Sequence, residues 1–304
     1  MRVAVTGATG MIGSALVRAL VDRGDEVTVL SRSPEDAARK LGVEAVGWKD
    51  PLSEPAPAEA LRGHDAVVHL AGAPVAQRWS DDARREIRES RVLGTRNLVA
   101  GLAALPESER PSTLVSQSAS GWYGARGDEP LDESAPAADD FLAQVTLGWE
   151  TEARLAEELG VRVVTTRTGV VLAESGGALE KMLPPFKLGV GGPVAGGRQY
   201  VPWVHLDDVI GAILFALDNP AARGPVNVAA PEPVTNRELS HALGRVLHRP
   251  AVAPVPALAV KLLYGDMAWV VTTGQRAVPA RLLELGYEFR RPDLEDALRD
   301  ATSG

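Results

Sequence analysis

Cysteine is missing from this chain altogether. Disulfides, a thiol nucleophile and thiolate metal sites are therefore excluded. An excess of positive charge is missing too. Lys and Arg total 32 against 40 Asp and Glu, a formal net charge of -8, which argues against nucleic acid as a partner. No apolar run reaches about 18 residues, so no membrane span is expected. The apolar stretch from Val3 to Leu20 is broken by Gly7, Gly10 and Gly13 and by Thr6 and Ser14. It has neither the basic start nor the cleavage site of a secretion signal, and the expectation is a cytoplasmic chain.

What is present is ordinary globular stuff: 304 residues, 45% hydrophobic and 24% charged. That is enough for one large α/β domain, or a domain and a smaller lobe. The first two thirds alternate β-branched runs with helical stretches. Strands are expected at Arg2–Thr6, Glu26–Leu30, Glu44–Trp48, Ala66–Leu70, Thr113–Ser116 and Val161–Arg167, and helices at Ile12–Arg23, Glu35–Leu41, Asp81–Leu105 and Phe141–Leu159. Such alternation implies a doubly wound parallel sheet, and near-continuous apolar strands imply helices on both faces.

Composition shifts after Arg167. Glycine and proline cluster in Ser175–Gly177 and Lys187–Gly197, and Arg249–Pro256 carries three prolines and reads as a connector. Helices are expected at Leu258–Met267 and Gln275–Leu285. The reading is a Rossmann-type dinucleotide domain over residues 1–167, its sheet completed by later strands such as 226–229. A mixed substrate lobe follows over 168–304, with a helical segment from 250.

The strongest local signal is Thr6-Gly7-Ala8-Thr9-Gly10-Met11-Ile12-Gly13, which follows a strand and opens a helix. Gly7 permits a tight turn, Gly10 lets the backbone approach a pyrophosphate, and Gly13 allows close helix–strand packing. The free N–H groups and positive end of the helix then face the phosphates. The second strand ends in Leu30-Ser31-Arg32-Ser33, with no acid at its tip to hold a ribose 2′-hydroxyl. Arg32 can pair with a 2′-phosphate, with Ser31 beside it, so NADP(H) is the expected cofactor.

These glycines resemble those of the extended short-chain dehydrogenase/reductase superfamily. So do His69-Leu70-Ala71-Gly72 after the fourth strand, Trp203-Val204-His205-Leu206-Asp207-Asp208-Val209, and Asn227-Val228-Ala229-Ala230-Pro231. A narrower set is similar to one branch, the "epimerase family protein" group of atypical NADP-binding reductases with a small C-terminal helical domain. It comprises Ser116-Gln117-Ser118-Ala119-Ser120-Gly121-Trp122-Tyr123-Gly124, Trp149-Glu150, Gly191-Gly192-Pro193, Gly196-Gly197-Arg198-Gln199 and the ending from Gly274 to Phe289. The resemblance implies cofactor contacts from Leu70, Ala71, Gly72 and Ser116 besides the glycine turn, and Arg167 is expected to join them because it ends the sixth strand at its carboxyl tip, where ligands sit in open α/β sheets.

The superfamily's catalytic device, a Tyr and a Lys four residues apart on one helix face, is absent. The four tyrosines stand at 123, 200, 264 and 287, and none has a Lys four residues on. Thr146 and Glu150, or Val145 and Trp149, occupy the dyad's place. Ser118, Tyr123 and Glu150 are the remaining candidates for catalysis, with Gln199 and Trp203 as candidate pocket walls. Asp207 and Asp208 read as a helix cap. His69 and His205 lack further ligands at metal spacing, so no metal is assigned. The leading expectation is an NADPH-dependent oxidoreductase acting on a small carbonyl or sugar-like substrate whose identity the sequence leaves open. A non-catalytic NADP(H)-binding sensor and, less favoured, a sugar-nucleotide epimerase are the alternatives.

Overall fold

A computed structural model describes residues 1–303. Seven strands form one parallel sheet: β1 (Arg2–Thr6), β2 (Glu26–Ser31), β3 (Glu44–Gly47), β4 (Ala66–His69), β5 (Thr113–Ala119), β6 (Arg162–Thr168) and β7 (Gly224–Val228), in the order β7-β6-β5-β4-β1-β2-β3. The chain winds outward from β1 to β3, then returns to β4 on the other side of β1. That reversal opens a crevice at the carboxyl ends of β1 and β4, the place where ligands sit in open α/β sheets.

Four helices matter for the site: α1 (Met11–Asp22), α2 (Pro34–Leu41), α3 (Asp81–Ala103) and α4 (Phe141–Arg154). On one face of the sheet, Leu16, Val17 and Leu20 of α1 pack with Val3, Val5, Val27 and Val29. On the other, Leu98 and Leu102 of α3 and Ala153 of α4 pack with Ala4, Leu30, Val67 and Leu114. Both faces being covered explains why all seven residues of β6 are buried. The Ser80 hydroxyl caps α3 by accepting the Ala83 N–H, and the Asp140 carboxylate caps α4 by accepting those of Leu142 and Ala143.

The structure departs from the sequence reading at several boundaries. Strand β5 runs three residues past Ser116, which puts Ser118 on the strand rather than on a loop. The helix expected over Phe141–Leu159 ends at Arg154 and tightens into a 3-10 turn, Leu155–Leu159, stopped by Gly160 at φ +80°. The helix expected over Leu258–Met267 breaks at Gly265, whose φ is +62°. The helix expected from Gln275 begins only at Ala280. Upstream of it Arg276 and Ala277 pair in parallel with Pro130 and Leu131, and Pro279 stands before the first helical turn. The helix Leu206–Asp218 is capped by the His205 ring, not by the acids after it. Asp208 instead accepts the N–H groups of Arg290 and Arg291.

Among the described residues, no helix is long and apolar enough to cross a membrane.

Candidate functional site

The glycine turn stands at the end of β1, and its three glycines do different work. Gly7 has φ +68°, and a β-carbon there would lie 2.6 Å from the Leu70 carbonyl carbon. A β-carbon on Gly13 would lie 2.6 Å from the Ala8 α-carbon and closer still to the Gly7 carbonyl. These two glycines are fixed by backbone crowding within the protein. Gly10 is different: a β-carbon there would meet only the Gly7 oxygen, at 3.4 Å. It faces open space, and it is the N-cap of α1 without any side chain accepting the helix's first N–H groups. No acid stands in that first turn. Open donors, a positive helix end and room for a phosphate thus coincide at Gly10. The geometry fits the pyrophosphate of a dinucleotide.

At the tip of β2, the Ser31 hydroxyl accepts the N–H of Ser33, and the Arg32 side chain is exposed. Lys40 of α2 reaches back to donate to the Thr9 carbonyl at 2.8 Å. Lys40 therefore stands against the glycine turn, and the parallel register that sets Leu30 beside Thr6 brings the tip of β2 alongside it. Lys40 escaped the sequence reading because nothing local ties residue 40 to residue 9.

A cavity of about 680 Å³ extends from this turn. Gly7, Gly10, Met11, Ile12, Gly13, Leu70 and Gly72 line it, as does Ser118 on β5. Thr6, Thr9, Ser31, Arg32, Ala71 and Ser116 do not. Thr9 is exposed within the turn, Ser31 and Arg32 end the neighbouring strand β2, and Ala71 lies between two lining residues. Thr6 and Ser116 are buried, and the Thr6 hydroxyl is hydrogen-bonded to Nδ1 of His69 at 2.7 Å. The other nitrogen of His69 bonds Thr95 at 3.0 Å. Burial, helped by the nearby Arg91 cation, holds the His69 pKa down at about 4. A neutral imidazole thus braces β1 against α3 beneath the turn.

The face of α4 toward the cavity carries neither half of a Tyr–Lys dyad. Leu142, Val145, Thr146 and Trp149 line the wall, and Glu150 does not. Val145 and Trp149 are four residues apart where both point inward, so neither a phenol nor an amine stands at that spacing. The Trp149 ring is 3% exposed and its Nε1 has no hydrogen-bond partner. Its face is covered by the Arg91 guanidinium, 5.1 Å from the ring centre.

Three of the residues expected at the site turn inward instead. Glu150 is 2% exposed and pairs with Arg167, itself 3% exposed, through Nε–Oε1 at 2.8 Å and Nη2–Oε2 at 3.0 Å. Arg167 also donates to the Tyr123 oxygen at 3.2 Å and lies over the Trp122 ring at 3.8 Å. The Tyr123 hydroxyl donates to Oδ1 of Asn227 at 2.6 Å and is fully buried. Burial pushes its pKa up to about 12, against the opposing pull of Arg167. A buried, fully bonded phenol with a raised pKa is a poor proton donor, which sets Tyr123 aside as the acid. Glu150 is set aside because its carboxylate is consumed by Arg167 and Ser118. The expectation that Arg167 touches the cofactor fails for the same reason: its fork is spent on Glu150, behind the wall.

Ser118 keeps a place in the wall, but with restricted chemistry. Its hydroxyl donates to Oε1 of Glu150 at 2.7 Å. Only its lone pairs remain for a ligand, so it can accept and not donate. Gln199 and Trp203 are not in the wall. Gln199 ties the carbonyls of Val194 and Val271 together, and Trp203 is core, its Nε1 on the Glu232 carbonyl. Their neighbour Tyr200 does line the cavity, with Arg276 over its ring at 5.2 Å. Tyr200, Asn236 and Trp269 are wall residues that the sequence reading passed over. No fixed spacing from a known motif marks them.

His205, Asp207 and Asp300 come close enough to suggest a metal cluster. The His205 Nδ1 is already an acceptor for the Asp207 N–H, and Arg291 reaches Asp300 at 2.7 Å and Asp207 at 3.5 Å. A guanidinium already supplies the positive charge there, and the cluster reads as a helix cap.

Comparison with known proteins agrees with this geometry. Residues 3–229 match the NAD dependent epimerase/dehydratase family, and residues 255–301 match a domain of unknown function, DUF1731. The chain is 41% identical to the Arabidopsis thaliana epimerase family protein SDR39U1 homolog, chloroplastic, over 98% of this chain and 86% of that protein. It is 36% identical to the Bacillus subtilis epimerase family protein YfhF over 98% and 97% of the two chains. The crystal structure of human epimerase family protein SDR39U1, isoform 2, with NADPH superposes with a TM-score of 0.90 at 34% identity, covering 100% of this chain and 99% of that one. The chain belongs to the NAD dependent epimerase/dehydratase family, with a Rossmann-type parallel sheet and a DUF1731 segment at its C-terminal end.

Proposed function

We propose that this protein is an NADPH-dependent oxidoreductase that acts on a small carbonyl or sugar-like substrate. The observation that carries the reading is one continuous cavity running from the open side of Gly10 to the Val145 and Trp149 face of α4. NADPH on that turn would supply a hydride to a carbonyl carbon held in the cavity. The donors around Gly10 would take the pyrophosphate, and Arg32 with Lys40 would take the 2′-phosphate. The SDR39U1 crystal structure with NADPH supports this choice of cofactor.

The proton must come from somewhere other than the usual dyad. Tyr200 is the phenol among the described residues lining the cavity, and the guanidinium of Arg276 stands over its ring. Ser118, limited to accepting, would orient a substrate hydroxyl or a water.

One observation favours a second reading, a non-catalytic NADP(H) sensor: neither pair at the dyad's place, Val145 and Trp149 or Thr146 and Glu150, supplies a Tyr or a Lys. A screen of carbonyl compounds for NADPH oxidation separates the two. On the leading reading Tyr200→Phe removes most turnover at unchanged NADPH affinity, whereas Tyr123→Phe retains it in whatever fraction folds. Tight NADPH binding with no turnover on any carbonyl compound decides for the sensor. Rapid epimerisation of a UDP-sugar overturns both.

A further inference from the structure

The cavity is nearly uncharged. Of the described residues lining it, Arg91 alone carries a charged side chain. Beyond the glycine turn the walls are largely apolar, with Leu142, Val145, Met182, Val201, Met267 and Trp269 prominent. Arg91 rises from the middle of α3 beneath the loop after β4, where a β-carbon on Gly72 would lie 3.1 Å from its Cζ.

The hydrogen bonds of Arg91 leave from Nη1, to the Ala73 carbonyl at 3.0 Å and the Ile87 carbonyl at 3.1 Å. Those two acceptors are neutral. Burial lowers the Arg91 pKa to about 10, and no nearby carboxylate opposes the shift. Arg91 is half-buried at the cavity wall, whereas Arg167 is 3% exposed and matched to Glu150. A guanidinium drawn partly out of water is ordinarily paired, because leaving it unpaired forfeits solvation without return. Arg91 still has Nε and Nη2 to offer, in the fork that fits a carboxylate. The indole N–H of Trp149, against which it stacks, is likewise without an acceptor. Both groups can only donate.

Resting on the oxidoreductase reading above, we propose that the substrate is a small, mainly apolar carbonyl compound bearing one acidic group, and that Arg91 binds that group. The apolar walls take the body of the molecule, and the guanidinium takes its carboxylate. A nucleotide-sugar fits poorly: its diphosphate carries two charges, and the single cation in the wall leaves one of them unmatched. The stacking of Arg91 on Trp149, on the cavity face of α4, directs the proposal to the substrate end of the cavity, and its contact with Gly72, in the loop that abuts Gly7, is why NADPH affinity is measured beside the probes.

The test uses the full chain saturated with NADP+ and a panel of paired probes, aryl and alkyl carboxylates of four to ten carbons with their neutral amides, and UDP-glucose alongside. Binding is followed by calorimetry and by Trp fluorescence, so no turnover is needed. NADPH affinity is measured first and separately. Its absence would remove the oxidoreductase reading, whereas the Arg91 proposal is judged on the probe pairs. In the wild type, at least one carboxylate should bind tenfold or more tighter than its amide. Arg91→Met should erase that preference with NADPH affinity held within twofold, and Arg91→Lys should restore part of it. Absence of any carboxylate preference across the panel overturns the proposal. So does tighter binding of UDP-glucose than of every carboxylate, or a loss of NADPH affinity in Arg91→Met as large as the loss for the probes.

Discussion

The hydroxyl of Ser118 donates to the Glu150 carboxylate at 2.7 Å, across the gap between β5 and α4. The same carboxylate holds the fork of Arg167. A glutamate at the edge of the expected dyad is thus part of the scaffold, and the serine beside it has its proton committed. Breaking one partner of such a buried pair leaves the other charge stranded. Glu150→Gln should therefore destabilise the fold by about 3–5 kcal/mol. Urea unfolding followed by circular dichroism measures it. A loss under 1 kcal/mol would mean that water or a rearranged Arg167 compensates.

Cofactor choice rests on the tip of β2. NADPH should bind at least tenfold tighter than NADH, about 1.4 kcal/mol, and Arg32→Asp should reverse or abolish the difference. Titration calorimetry with both nucleotides decides it. Equal affinities in the wild type would place the 2′-phosphate away from Arg32.

The glycines of the turn should respond in opposite ways. Gly10→Val projects its side chain into open space, so the fold should persist and NADPH binding should be lost. Gly13→Val puts its β-carbon against the Gly7 carbonyl and Ala8, so the protein itself should be destabilised. Thermal melts with and without NADPH separate the two. A Gly10→Val protein that is still stabilised by NADPH would move the phosphate site elsewhere.

Acid sensitivity should trace to His69. Its folded pKa lies near 4, below the ordinary 6.5, so the unfolded chain binds the proton more readily. The contribution is intact above pH 6.5 and is lost as pH falls from 6.5 to 4, reaching roughly 3 kcal/mol. Chemical unfolding across pH 4–8 should show this limb, and His69→Gln should flatten it. An unchanged limb in the variant would assign the acid loss to other groups.

Much of this protein was legible from local pattern. The glycine turn needs only a strand, eight residues and a helix, all adjacent in the chain. The parallel sheet follows from the regular alternation of Val-rich runs with helical stretches. What sequence could not show is which face of α4 points inward, because its periodicity allows either pair of positions. The structure settles that through Arg167, 17 residues downstream, which draws Glu150 away from the cavity. Tyr123 was misread for a similar reason: its partner Asn227 lies 104 residues on. Tyr200 and Arg91 reach the cavity from elements no motif connects. After residue 250 one boundary moves because Gly265 takes a positive φ, and another because Arg276 and Ala277 pair with residues 130 and 131 rather than follow their own propensity.

The outermost strand of the sheet, β7, is supplied by residues 224–228, more than fifty residues after its neighbour β6. A natural place to cut the chain, just after Arg167, would therefore strip the sheet of its border. The uncovered rim of β6, buried along its whole length in the intact protein, would have the backbone donors and acceptors that pair with β7 set free. Such a rim is a template for pairing with other chains. Expressing the nucleotide-binding part alone should yield aggregates, not a minimal domain, and any dissection of this protein has to carry residues 224–228 with it.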